Sequence, residues 1–162
     1  MKKKFQHDLM NNNITSSDVN ALIKFLKTNK KKIFTQSKMV TEFEKKWSKW
    51  LGVKYSTFVN SGSSANLLTM TITKILFGKG EVLVPALTWI SDISSVIQND
   101  LKPVFVDINP ETLSMDENEI FKKVNNKTKA VFVTHAQGFN GLSSKLINFL
   151  KKKKIPLIED VC

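Results

Sequence analysis

The chain predicts an α/β fold: a mostly parallel sheet with helices on both faces, a three-layer sandwich. Two observations carry this. From Tyr55 onward, short apolar runs rich in β-branched and aromatic residues alternate with amphipathic stretches of helical period. The 162 residues, 41 % of them hydrophobic, with only six glycines and four prolines, suffice for one core of ordinary size and exclude collagen-like or low-complexity chains.

Residues 1–52 form an N-terminal helical segment. Ser17 is placed to cap "DVNALIKFLKTNK", whose Val19, Leu22, Ile23 and Leu26 recur on one helical face. A second helix runs from about Lys38 to Trp50, with Val40, Phe43, Trp47 and Trp50 on one stripe and Gly52 as its stop. Trp47 and Trp50 are expected to face a core, because large aromatics on an apolar stripe usually pack. Residues 53–162 carry the alternation. "YSTFV" is a strand and Ser63–Phe77 a helix. "EVLVP" is a strand and Trp89–Gln98 a helix. "PVFVDI" is a strand and Asp116–Val124 a helix. "AVFVTH" is a strand, Leu142–Lys153 a helix, and "IPLIED" the last strand.

Composition narrows the function classes. No apolar run reaches the ~18 residues of a membrane span. The opening "MKKKFQHDLMNNN" lacks the apolar centre of a signal peptide. Cys162 is the single cysteine, so neither a disulfide framework nor a cysteine metal cluster is expected, and a reducing cytoplasm is the default setting. The net charge of +11 points superficially to nucleic acid. All 25 basic residues are lysines, however, and arginine is the better fork for phosphates and base edges. The lysines are therefore read as solvated surface, with no nucleic-acid or membrane partner.

Sheets of this kind bind ligands beyond the carboxyl ends of their strands. There the chain places "NSGSSAN", "PALTW", "DINPET", "HAQGFNG" and "EDVC". Gly62, Ser63 and Ser64, between a strand and a helix start, are either an anion cradle or an ordinary serine N-cap. The glycine spacing matches neither a Walker loop nor a dinucleotide fingerprint. Trp89 is either a stacking platform or core. His135 is best read as a satisfied structural residue, and Asp107 as a cap of its turn. Asp160 is more pointed, because a buried carboxylate needs a cationic or hydrogen-bonding partner and there is no arginine. A protonated ring nitrogen would serve. Glu159 must point to the opposite face, so one carboxylate serves a ligand and the other a structural contact.

In this order "FVNSGSSANLL", "VLVPALTWISD", "KPVFVDINPETLSMD" and "IPLIEDVC" resemble the DegT/DnrJ/StrS-type nucleotide-sugar aminotransferases, pyridoxal-phosphate enzymes of fold type I. "IFTQSKMVTEFEKKWSKWLGVKYS" resembles that family's N-terminal segment. The resemblance implies that residues 53–162 are part of a cofactor-binding large domain. Gly62, Ser63 and Ser64 then match the turn for the cofactor phosphate, and Trp89 the aromatic on the pyridine ring. Asp160 matches the carboxylate on the ring nitrogen, and Cys162 a small residue close to the ring. The Schiff-base lysine is expected downstream of Cys162. The chain is thus expected to be an N-terminal portion, inactive alone, without the rest of the large domain and the C-terminal small domain. The implied activity is amino transfer from an amino acid, glutamate in most relatives, to a nucleotide-linked keto sugar in cell-surface polysaccharide or deoxyamino-sugar biosynthesis. Pyridoxal 5′-phosphate is the implied cofactor, in its pyridoxamine form for part of the cycle, and the implied assembly is a homodimer. A related branch, with histidine for the lysine, dehydrates the sugar at the 3-position. A non-enzymatic basic α/β binding module is the third possibility.

Overall fold

A computed structural model describes residues 13–28, 30 and 33–161, which leaves Cys162 outside the described residues. The chain divides into two compact units, Met1–Phe58 and Val59–Cys162.

The first unit holds α1 (Ser16–Thr28) and α2 (Lys38–Leu51). Thr15, not Ser17, opens α1. Its hydroxyl accepts the Asp18 N–H at 3.3 Å, and the Asp18 carboxylate accepts the Thr15 N–H at 2.8 Å. Ser37 caps α2, and Gly52, at φ 76°, ends it in the left-handed region that favours glycine. The apolar stripes are where expected, but they are not core. Trp47 and Trp50 are 45 % and 75 % exposed, which corrects the expectation that they face inward. They pack on each other at 4.9 Å between ring centroids, and Phe43 stacks on Trp47 and meets Phe58 edge-on. An amphipathic stripe is buried only where a second face covers it, and Phe58 meets this one edge-on at Phe43 without burying the two tryptophans. "YSTFV" is not a strand either. Strand pairing needs a neighbour with free ladder groups. Here the Phe58 N–H donates to Glu44 Oε1 at 2.9 Å, and Ser48 Oγ donates to Ser56 Oγ at 2.8 Å.

The second unit carries the predicted sandwich. In order come α3 (Gly62–Phe77), β1 (Glu81–Pro85), α4 (Ile90–Gln98), β2 (Lys102–Val106), α5 (Glu117–Lys123), β3 (Thr128–Thr134), a 3-10 turn (Ala136–Gly138), α6 (Ser144–Lys153) and β4 (Leu157–Asp160). The four strands are parallel in the order β2-β1-β3-β4. β1 and β3 are central and buried almost without interruption, as their apolar runs require. Alternation then divides the core. Leu83, Val131 and Val133 face Ile120, Leu146 and Leu150 of α5 and α6. Val82, Val84, Ala130 and Phe132 face Met70 of α3 and Val96 of α4. Each fully buried side chain of this size contributes about 1.5–3 kcal/mol. Side-chain caps fix three of the helix starts: Ser61 for α3, Asp116 for α5 and Ser143 for α6. Among the described residues no helix is long and apolar enough to cross a membrane.

Candidate functional site

The strand order reverses between β1 and β3, and the loops leaving these two strands diverge there. A crevice at such a point, beyond the carboxyl ends, is the expected ligand position. A cavity of about 450 Å³ lies there. Leu87, Thr88 and Trp89 line it from the end of β1, Thr134 to Gly138 from the end of β3, Asp160 from β4, and Leu113 from the loop after β2.

The structure brings Trp89 and Asp160 to one cavity. Trp89 is the N-cap residue of α4 without a side-chain capping bond, and at 64 % exposed it is not core. An indole face at a cavity wall can receive a planar ring. Asp160 is half-buried, and its Oδ2 accepts from Asn66 Nδ2 at 3.3 Å. Its neighbour Glu159 points away, as strand alternation demands, and pairs with His135 Nε2 at 3.0 Å. His135 is thus satisfied, since Gly141 N also donates to its Nδ1 at 3.2 Å. Asp107 uses its carboxylate on the Ile108 N–H, while Asn109 Oδ1 accepts from Glu111 N and shapes that turn.

Gly62, Ser63 and Ser64 form the first turn of α3, one turn before Asn66, and they do not line the cavity. Ser61 is the N-cap, taking the Ser64 N–H at 3.2 Å, and the Ser64 hydroxyl is engaged by Asn60 Oδ1 at 2.7 Å. Gly62 and Ser63 are exposed at the positive end of the helix, where backbone N–H groups suit an anion.

Beneath the cavity lies a polar cluster that the sequence analysis missed. Asp92, 0 % exposed, stands on the inner face of α4 with Ser95 and Val96. Its Oδ1 accepts from Asn66 Nδ2 at 2.7 Å, and its Oδ2 meets the hydroxyls of Thr88 and, at 2.8 Å, Thr134. Burial pushes the Asp92 carboxyl above the usual carboxylate range. The threonine hydrogen bonds oppose this, and the neighbouring Asp160 charge adds to it. The signal was present in the period: Asp92, Ser95, Val96 and Asn99 share one helical face with the core.

The geometry therefore offers an aromatic wall, a carboxylate aimed at the same cavity, and a helix N-terminus one turn from the Asn66 contact. These features suit a flat, cationic heterocycle that carries an anionic arm. A GDP-4-keto-6-deoxy-D-mannose 3-dehydratase from Yersinia pseudotuberculosis is 32 % identical over 150 residues, covering 90 % of this chain and 37 % of the relative. A GDP-perosamine synthase from Escherichia coli O157:H7 is 31 % identical over 128 residues, covering 79 % of this chain and 35 % of the relative. Among solved structures, the E. coli GDP-4-keto-6-deoxy-D-mannose-3-dehydratase with bound hydrated PLP superposes with a TM-score of 0.85 at 30 % identity. That match covers 95 % of this chain and 40 % of the solved one. The chain thus spans little more than a third of the length of these curated relatives. Residues 13–162 match the family described as the DegT/DnrJ/EryC1/StrS aminotransferase family, and the chain belongs to it.

Proposed function

We propose that this chain supplies the cofactor-holding part of a pyridoxal-phosphate-dependent enzyme that transfers an amino group from an amino acid, glutamate, to a nucleotide-linked keto sugar. The observation that carries this is the convergence of Trp89 and Asp160 on the cavity at the sheet's switch point. Bound there, pyridoxal phosphate supplies an electron-accepting pyridinium ring. Asp160 holds the proton at the ring nitrogen through a charge-assisted hydrogen bond. Such a bond contributes about 1.5–3 kcal/mol. Trp89 covers one face of the ring and excludes water from it. The Gly62 and Ser63 N–H groups and the Ser63 hydroxyl hold the phosphate at the start of α3. Ser64 contributes its position in that turn, its hydroxyl being engaged by Asn60. Cys162, outside the described residues, is proposed to stand beside the ring.

None of the described residues lining the cavity is a lysine. The chain alone is therefore proposed to bind cofactor without turning over substrate. In a protein continuing past Cys162, a lysine selects amino transfer. A histidine selects 3-dehydration, the second possibility, which the two dehydratase similarities favour. The proposed partners are a nucleotide-linked keto sugar, an amino donor and a second copy of the chain. The proposed setting is the cytoplasm. The similarity to a GDP-perosamine synthase supports the nucleotide-linked sugar among these.

Calorimetric titration of the chain with pyridoxamine 5′-phosphate tests the site. Asp160→Ala and Trp89→Ala should each weaken binding, Asp160→Ala by roughly tenfold to a hundredfold. Binding indifferent to both changes would refute the assignment.

A further inference from the structure

We propose that Asp92 is a positioning residue: buried and carrying a proton, it fixes the Asn66 amide, and that amide holds Asp160 so that Asp160 alone presents negative charge to the cavity. This rests on Asp160 being the partner of the cofactor's ring nitrogen.

Asp92 is fully buried, and an ionised carboxylate there is expensive unless fully compensated. The groups facing it among the described residues are Asn66 from α3, Thr88 after β1, Ser91 on α4, Thr134 on β3 and Asp160 on β4. Asp160 is the charged one, and its sign is the same. The positive end of α4 acts the other way, but burial of the charge outweighs it.

The contacts fix the carboxyl in place. The Thr88 and Thr134 hydroxyls, 2.6 Å apart, both reach Asp92 Oδ2. The other Asp92 oxygen then takes one N–H of Asn66 at 2.7 Å, and the remaining N–H of the same amide reaches Asp160 Oδ2 at 3.3 Å. The line runs from the two threonines through Asp92 and Asn66 to Asp160.

Two measurements on the purified chain test this. The first is a pH titration of side-chain carboxyl carbons by NMR. The Asp92 signal should stay at its protonated position after Asp18 and Asp100, both held below the usual range by their hydrogen bonds, have ionised. Titration of Asp92 together with them would overturn the proposal. The second is pyridoxamine 5′-phosphate affinity. Asp92→Asn, neutral and of the same shape, should bind within about threefold of the unaltered chain, and Asp92→Ala about tenfold more weakly. Asp92→Asn as weak as Asp92→Ala overturns the protonated state. Asp92→Ala equal to the unaltered chain, with Asp160→Ala impaired, overturns the positioning role alone. Asp160→Ala equal to the unaltered chain overturns the ring-nitrogen assignment beneath it. Should Asp92→Ala fail to fold, the NMR titration and Asp92→Asn still decide.

Discussion

Gly141 closes the loop that follows the 3-10 turn, and its N–H donates to His135 Nδ1 at 3.2 Å, steadying one wall of the cavity. A Cβ built there would lie 1.8 Å from Ser114 Oγ, 2.9 Å from Ser114 Cβ and 3.2 Å from Val133 Cγ1. Ser114 is 3 % exposed, and its Oγ has no hydrogen-bond partner among the described residues. The hydroxyl can swing aside, but Ser114 Cβ moves only with the backbone. Gly141→Ala is therefore an overpacking change, with an expected loss of about 1–3 kcal/mol. For a chain of this size that lowers the melting temperature by roughly 3–9 °C. Thermal unfolding followed by circular dichroism reads it. Ser114→Gly removes both offending atoms, so the double variant should recover stability with a coupling of about 1 kcal/mol or more. Ser114→Ala alone should be neutral or stabilise by about 1 kcal/mol, because it removes a buried unpaired hydroxyl. The packing account fails if Gly141→Ala melts with the unaltered chain, or if Ser114→Gly adds its own loss without rescue.

Three further outcomes are expected. The Asp92 carboxyl is raised by burial, so its protonated form is the one the fold accommodates. Its contribution to stability is intact below the ordinary aspartate range and is lost as pH rises through the raised folded value. Asp92→Asn lacks that loss. Its stability relative to the unaltered chain, by urea unfolding, should rise with pH over that window, and a flat difference would contradict the assignment. Phe132 is fully buried at the centre of β3, so Phe132→Ala should lose about 3–5 kcal/mol in the same assay. A loss below about 1 kcal/mol would mean the site collapses freely. Ser61→Ala removes the α3 cap and should lower stability by about 1 kcal/mol. No change would show that Ser61 caps without stabilising.

The parts of the fold that could be read in advance are those whose burial is settled locally. "EVLVP" and "AVFVTH" each hold an unbroken apolar run, Val82–Pro85 and Ala130–Val133, and these runs lie in the two central strands. Glu159 and Asp160 diverge because adjacent strand residues must, and each found a separate set of partners. "YSTFV" has the composition of a strand, but pairing depends on a neighbour that its own residues do not encode, and its groups bond to α2 side chains instead. Trp47 and Trp50 show the same limit for burial: an apolar stripe announces a face, not what covers it. Asp92 was missed for a different reason. A polar residue in a helical core period looks like an ordinary surface interruption until Asn66, Thr88 and Thr134, distant in sequence, close around it.

The central claim is that the Asp160 carboxylate receives a protonated ring nitrogen within the Trp89 cavity. The ¹⁵N NMR signal of ring-labelled pyridoxamine 5′-phosphate bound to the chain tests it most directly. The account predicts a pyridinium signal that persists above the pH at which the free cofactor loses that proton, and that Asp160→Ala abolishes. A ring nitrogen that titrates in the bound state as it does in free solution would contradict it.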